Sequence, residues 1–206
     1  MGATTIDLVG GNNGTINGAA RTTGNVAKAL SFDGVDDYVA LPGAVSSLLS
    51  NSAGTITVWV NPTSIGDNDV IVAFGTASPG QGIGLGIWNN VRPWHTSAPY
   101  DWDSSTGVSV DEWIFIAYTW DDTAEYIYKN GEFSESRVRN FNYLPGQARI
   151  GHGFWGDPAN AFPGLIDEVQ VYGRAMTAAE IAALYYAGCA GTCWVYHTLY
   201  LPILWR

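Results

Sequence analysis

The sequence predicts an all-β fold: two antiparallel sheets packed face to face, with one short helix near the carboxyl end. Three observations carry the prediction. Charged residues make up only 14% of the 206 residues, whereas 25 Gly, 9 Trp and 11 Tyr supply the corners and pleated surfaces of many short strands. Short alternating apolar runs recur along the chain, separated by turn residues. An Asn-Gly pair, Asn130-Gly131, lies between two such runs, and a type I′ hairpin turn needs positive φ at both central positions. A chain of this length buries one good core, so we expect one domain over residues 1–188 and a cysteine-containing apolar tail over 189–206.

Taken in order, residues 29–39 read as a strand with Asp33 where the apolar run meets a turn. In the next strand Ile56, Val58 and Val60 point one way, Thr57 and Trp59 the other, and Asn61-Pro62 ends it. Residues 69–74 and 82–88 follow, the latter turning back at Asn89-Asn90 into 91–96. Residues 113–120, 124–129 and 132–138 form a meander, and 147–151 and 165–172 complete the strands. The convincing helix is 177–187, where Thr177 caps, Glu180 completes a capping box and Gly188 stops it. Trp59, Trp113 and Trp120 are expected in the core.

Composition narrows the function. A net charge of -10, with Lys28 and Lys129 the only lysines, argues against nucleic acid and against anionic membranes, both of which need a basic footprint. Two cysteines, Cys189 and Cys193, cannot hold zinc alone, and His95, His152 and His197 lack ligand spacing to them. Residues 1–5 carry neither a charged nor an apolar leader region, so the chain is expected to start downstream of any signal peptide. No apolar run is long enough for a membrane-spanning helix, so no membrane insertion is expected.

Five blocks in order are specific: Asp7-Leu-Val-Gly-Gly-Asn-Asn-Gly-Thr15, then FDGVDDYV, TITVWVNP, the hairpin from Trp113 to Glu132, and FPGLIDEVQVYGRAMTAAEI. Together they resemble the LamG-like, concanavalin A-like jelly rolls of bacterial extracellular proteins, over about residues 7–188. The resemblance implies a jelly-roll β-sandwich, an extracellular or cell-surface location, and a structural calcium clamping the 10–15 loop to the FDG and IDEV strands. Its candidate ligands are Asp7, Asn12, Asn13, Asp33 and Asp167, oxygen donors of the kind a hard cation requires; the alternative is that they only build turns. The extracellular context favours a Cys189–Cys193 disulfide over free thiols. The family's usual first strand has only residues 1–6 to occupy here, so it is short or missing.

Ligand chemistry concentrates between residues 88 and 103. Trp88, Arg92, Trp94, His95, Tyr100, Asp101, Trp102 and Asp103 put ring faces beside hydrogen-bonding groups, with Trp155 on a second loop; this combination suits a sugar. The alternative is that the rings tuck against the sandwich edge. Glucanases of this fold carry Glu-x-Asp-x-x-Glu on one strand, which is absent, and the adjacent Asp167 and Glu168 should point to opposite faces. The sequence therefore reads as a secreted, non-catalytic module that is calcium-stabilised and binds a glycan or other cell-surface ligand. Its rival is a self-assembling structural subunit, a homo-oligomer in which the tail completes a neighbour's sheet.

Overall fold

The computed structural model describes residues 4–6, 11–96, 101–154 and 160–190. One sheet holds, in spatial order, β1 (Thr15–Asn17), β4 (Tyr38–Leu41), β12 (Gln147–Ile150), β6 (Asp67–Gly75), β7 (Gly82–Trp88) and β8 (Asn90–Trp94). The other holds β11 (Glu132–Val138), β10 (Ala124–Lys129), β9 (Ile114–Trp120), β5 (Gly54–Pro62), β13 (Pro163–Tyr172), β3 (Lys28–Asp33) and β2 (Ala20–Thr23). Neighbouring strands pair antiparallel throughout, as the jelly-roll expectation requires. Ahead of β1, the Thr5 N–H donates to the Gly14 carbonyl at 2.8 Å and Thr4 bridges Thr15.

Strand parity builds the core. Ile56, Val58 and Val60 of β5 and Ile114, Ile116, Tyr118 and Trp120 of β9 meet Val39, Val72, Phe74, Ile83, Leu85 and Ile87 from the facing sheet. Each such side chain contributes roughly 1.5–3 kcal/mol by leaving water. On the other face of β7 three glycines alternate with the core residues, and Trp94 lies across Gly84, where a Cβ would sit 2.6 Å from the indole. At the meander's hairpin, Asn130 (φ 52°) and Gly131 (φ 80°) adopt the left-handed pair the Asn-Gly signal specified.

Helix α2 (Ala178–Ala190) covers the outer face of the second sheet, burying Ile181 against Trp59, Phe115, Tyr128, Tyr172 and Met176. Its capping box forms as expected: the Glu180 carboxylate accepts the Thr177 N–H at 2.9 Å, and the Thr177 hydroxyl accepts the Glu180 N–H at 3.3 Å. The expected stop at Gly188 is corrected, because the helix continues to Ala190. Gly188 serves packing instead: a Cβ there would lie 2.6 Å from the Trp59 indole nitrogen. A short helix, α1 (Gly43–Ser46), carried no periodic signal.

Residues 101–107 are no open loop. They run back along β8 as a strap, with the Trp102 N–H donating to Pro93 at 3.0 Å and the Val91 N–H donating to Thr106 at 2.8 Å. Across the gap β11 holds the same segment, since Glu135 Oε1 accepts the N–H groups of Ser105 at 2.7 Å and Thr106 at 3.1 Å. The strap thereby joins the two sheets along one flank.

Candidate functional site

The strap and the β7–β8 hairpin build an exposed corner. Trp88 ends β7 and is 41% exposed. Arg92 pairs in register with Gly86, and its guanidinium lies on one face of Trp88, 3.8 Å from the ring centroid. Two strap carboxylates pair with that guanidinium: Asp101 accepts from Nη2 at 3.0 Å, and an Asp103 oxygen lies 3.3 Å from Nη1. The Asp103 side chain is 84% exposed, so it can accept hydrogen bonds from outside. An indole with a covered and an open side, beside an exposed carboxylate, offers the C–H face and the hydroxyls of a sugar what each needs.

Behind this corner lies a sealed polar network. Glu125 and His95 are fully buried. Glu125 Oε2 accepts from the Tyr118 hydroxyl at 2.8 Å and from Arg137 Nη2 at 3.3 Å, and lies 3.3 Å from His95 Nε2. Burial would raise the Glu125 carboxyl, but His95, Arg137 and Tyr118 outweigh it and hold the group below the usual range. Burial, then the Glu125 charge, pushes the Tyr118 hydroxyl well up. With His95 Nδ1 accepting from Arg137 at 3.1 Å, the ring proton belongs on Nε2, facing Glu125. Neither Glu125 nor Arg137 was among the expected site residues. One signal could have found Glu125: it shares strand parity with the core residue Ile127, a charge in an apolar position.

The expected ligand residues divide. Trp88, Arg92, Asp101 and Asp103 come together at the corner. Trp94 (5% exposed), His95 (0%) and Trp102 (6%) are corrected as contact residues, because their rings are packed away. Trp94 meets Phe154 edge-on, His95 stacks on Phe141, and Trp102 belongs to the main core. Trp59 and Trp120 are buried as expected, while Trp113 is half-buried. Tyr100 and Trp155 lie outside the described residues, as do Asp7, Cys193 and the tail from residue 191, and with them the expected Cys189–Cys193 disulfide.

The expected calcium donors do not fit one ion. Asp33 pairs with Pro163, whereas Asp167 lies four positions along β13, about 13 Å away at the rise of a strand. Two ligands of one calcium stand within about 5 Å of each other. Asn12 and Asn13 precede Gly14, which packs at the Leu41 end of β4, away from the Asp33–Asp37 turn. Asp167 instead clamps the β2–β3 turn: its carboxylate accepts the N–H groups of Val26 at 2.8 Å and Glu168 at 2.9 Å. Among the described residues, the carboxylates of Asp33, Asp36 and Asp37 converge. They cap their own turn, with the Val35 N–H on Asp33 at 2.8 Å and the Asp33 N–H on Asp37 at 2.9 Å.

Sandwich, strap and corner define a lectin-like jelly roll. The chain belongs to the concanavalin A-like lectin/glucanases superfamily, matching the Laminin_G_3 family over residues 33–182. Among solved structures, domain 4 of AbnA, an extracellular arabinanase from Geobacillus stearothermophilus solved in complex with arabinotriose, is 26% identical with a TM-score of 0.73. That match covers 87% of this chain and 91% of that one. A Trypanosoma rangeli sialidase is 19% identical with a TM-score of 0.67, over 91% of this chain and 31% of the sialidase. The botulinum neurotoxin serotype G binding domain is 15% identical with a TM-score of 0.63, over 89% and 50% of the two chains. The latter two speak to the fold alone. No curated protein matches the sequence.

Proposed function

We propose that this domain binds neutral oligosaccharides outside the cell, short arabinose chains foremost, without cleaving them. The observation that carries the reading is the likeness, over nearly the whole of both chains, to a domain solved with arabinotriose. The corner supplies the chemistry: a sugar face rests on the open side of Trp88 and its hydroxyls donate to Asp103. Asp101 and Asp103 both face Arg92, Arg137 reaches the Asp101 carbonyl, and the exposed Asp67 lies opposite Trp88 in register, so among the described residues three carboxylates meet two guanidinium groups. The corner is therefore net negative and disfavours uronates and sialic acids.

Calorimetric titration with arabinotriose tests this. Trp88→Ala and Asp103→Asn should each weaken binding about tenfold or more, or about 1.4 kcal/mol, with little change in Tm. Binding that both variants leave intact would overturn the site, and no binding by the native chain would overturn the ligand class. Prolonged incubation should release no free arabinose; release on chromatography would overturn the non-catalytic reading.

A further inference from the structure

We infer that Arg137 on β11 is a positioning residue for the Trp88 corner, an inference that rests on reading that corner as the ligand site. The corner's cation, Arg92, is oriented by Asp101, whose carboxylate is already divided: Oδ2 takes Arg92 at 3.0 Å and Oδ1 takes the His95 N–H at 2.8 Å. The Asp101–Trp102 peptide is held at its two ends, the Trp102 N–H by the Pro93 carbonyl at 3.0 Å and the Asp101 carbonyl by Arg137 Nη1 at 2.9 Å, so that Arg137 supplies the bond from the side of the second sheet. Asp101 begins the described strap, two residues before Asp103, so a displacement of its carbonyl moves both carboxylates that grip Arg92.

Arg137 can serve as a fixed reference because its other end is immobilised. Nη2 is shared between Glu125 Oε2 at 3.3 Å and His95 Nδ1 at 3.1 Å, both on fully buried side chains, and the guanidinium lies 5.2 Å from the Trp102 ring centroid. Apolar side chains could fill such a space at comparable stability. They could not hold a carbonyl in place. A rigid line thus runs from Glu125 through Arg137 and Asp101 to Arg92 and Trp88, and only its outer end faces a ligand.

The test uses the full chain labelled with nitrogen-15. The Trp88 indole N–H signal, assigned with Trp88→Phe, is recorded without ligand, and arabinotriose affinity is then measured. Arg137→Met should shift or broaden the Trp88 signal and weaken binding at least fivefold, with Arg137→Lys recovering part of both. Arg139→Met is the control, because Arg139 bonds the Phe141 carbonyl at 2.8 Å and lies on that ring, so its loss disturbs the same region without touching Asp101. A Trp88 signal unchanged in Arg137→Met, or changed equally in Arg139→Met, would overturn the inference. If Arg137→Met does not fold, Arg137→Lys against native protein decides by the same signal. Should the native chain bind no arabinotriose, the proposed ligand falls while the signal still decides the positioning role.

Discussion

Glu168 occupies left-handed backbone (φ 48°), is 5% exposed, and has one buried carboxylate oxygen with no hydrogen-bond partner among the described residues. Burial, then the neighbouring Asp167 charge, pushes its carboxyl up to about 8, and burial pushes Asp167 up to about 6. In both, the folded chain holds a proton that the unfolded chain releases. Their stabilisation is therefore complete in acid below the unfolded values and is lost as pH rises through about 6 and then about 8. We expect Tm to fall between about pH 5 and pH 8.5, and Glu168→Gln to flatten that fall and add on the order of 2 kcal/mol near pH 8. A Glu168→Gln melting profile parallel to the native one would refute this. Alternation placed Asp167 and Glu168 on opposite faces, but the register shifts between Asp167 and Gln170, so the period breaks where it was applied. A bulge with glutamate in the left-handed position gives no warning in the sequence.

Among the elements, those with enough residues to display a period were legible: β5, the β7–β8 hairpin, the meander and α2. β1, β2 and α1 span three or four residues each and, unlike the equally short β12 with Ala148 and Ile150, show no apolar alternation, and the strap has no period because its bonds run to a strand edge on one side and to β11 side chains on the other. The Trp-rich stretch was legible as a place of importance, but which rings would be buried depended on Gly84 and Phe154, set by the fold rather than by local sequence. Gly84→Ala should cost on the order of 2–3 kcal/mol, since the added carbon meets first the Val72 carbonyl oxygen and then the Trp94 ring, at 2.6 Å. Melting with intact Tm would show that β7 can yield there. Glu135→Ala removes the acceptor for two strap N–H groups; we expect a loss of about 1–3 kcal/mol. Hydrogen exchange at Ser105 and Thr106 should accelerate in that variant while exchange at Ile116 in the core does not.

At the scale of the molecule, five ordered blocks were enough to anticipate the jelly roll, yet the ion expected with them finds its described donors in separate places, because residues that share a motif need not share a neighbourhood. On the proposed reading, the net charge of -10 and the acidic corner would act together on ligand choice. Trigalacturonate should therefore bind far more weakly than arabinotriose at low salt, with the gap narrowing as salt screens the repulsion; equal affinities would remove charge as a selector. The strap has one further consequence. Its main chain is fastened on both sides, whereas the exposed side chains of Asp103 and Ser105 each make only an outward contact, to Arg92 at 3.3 Å and to Glu135 at 3.3 Å. They form a short stretch of surface that drift or a designer's library could rewrite at small cost to the scaffold, so that, on the proposed reading, one stable fold could carry several ligand preferences.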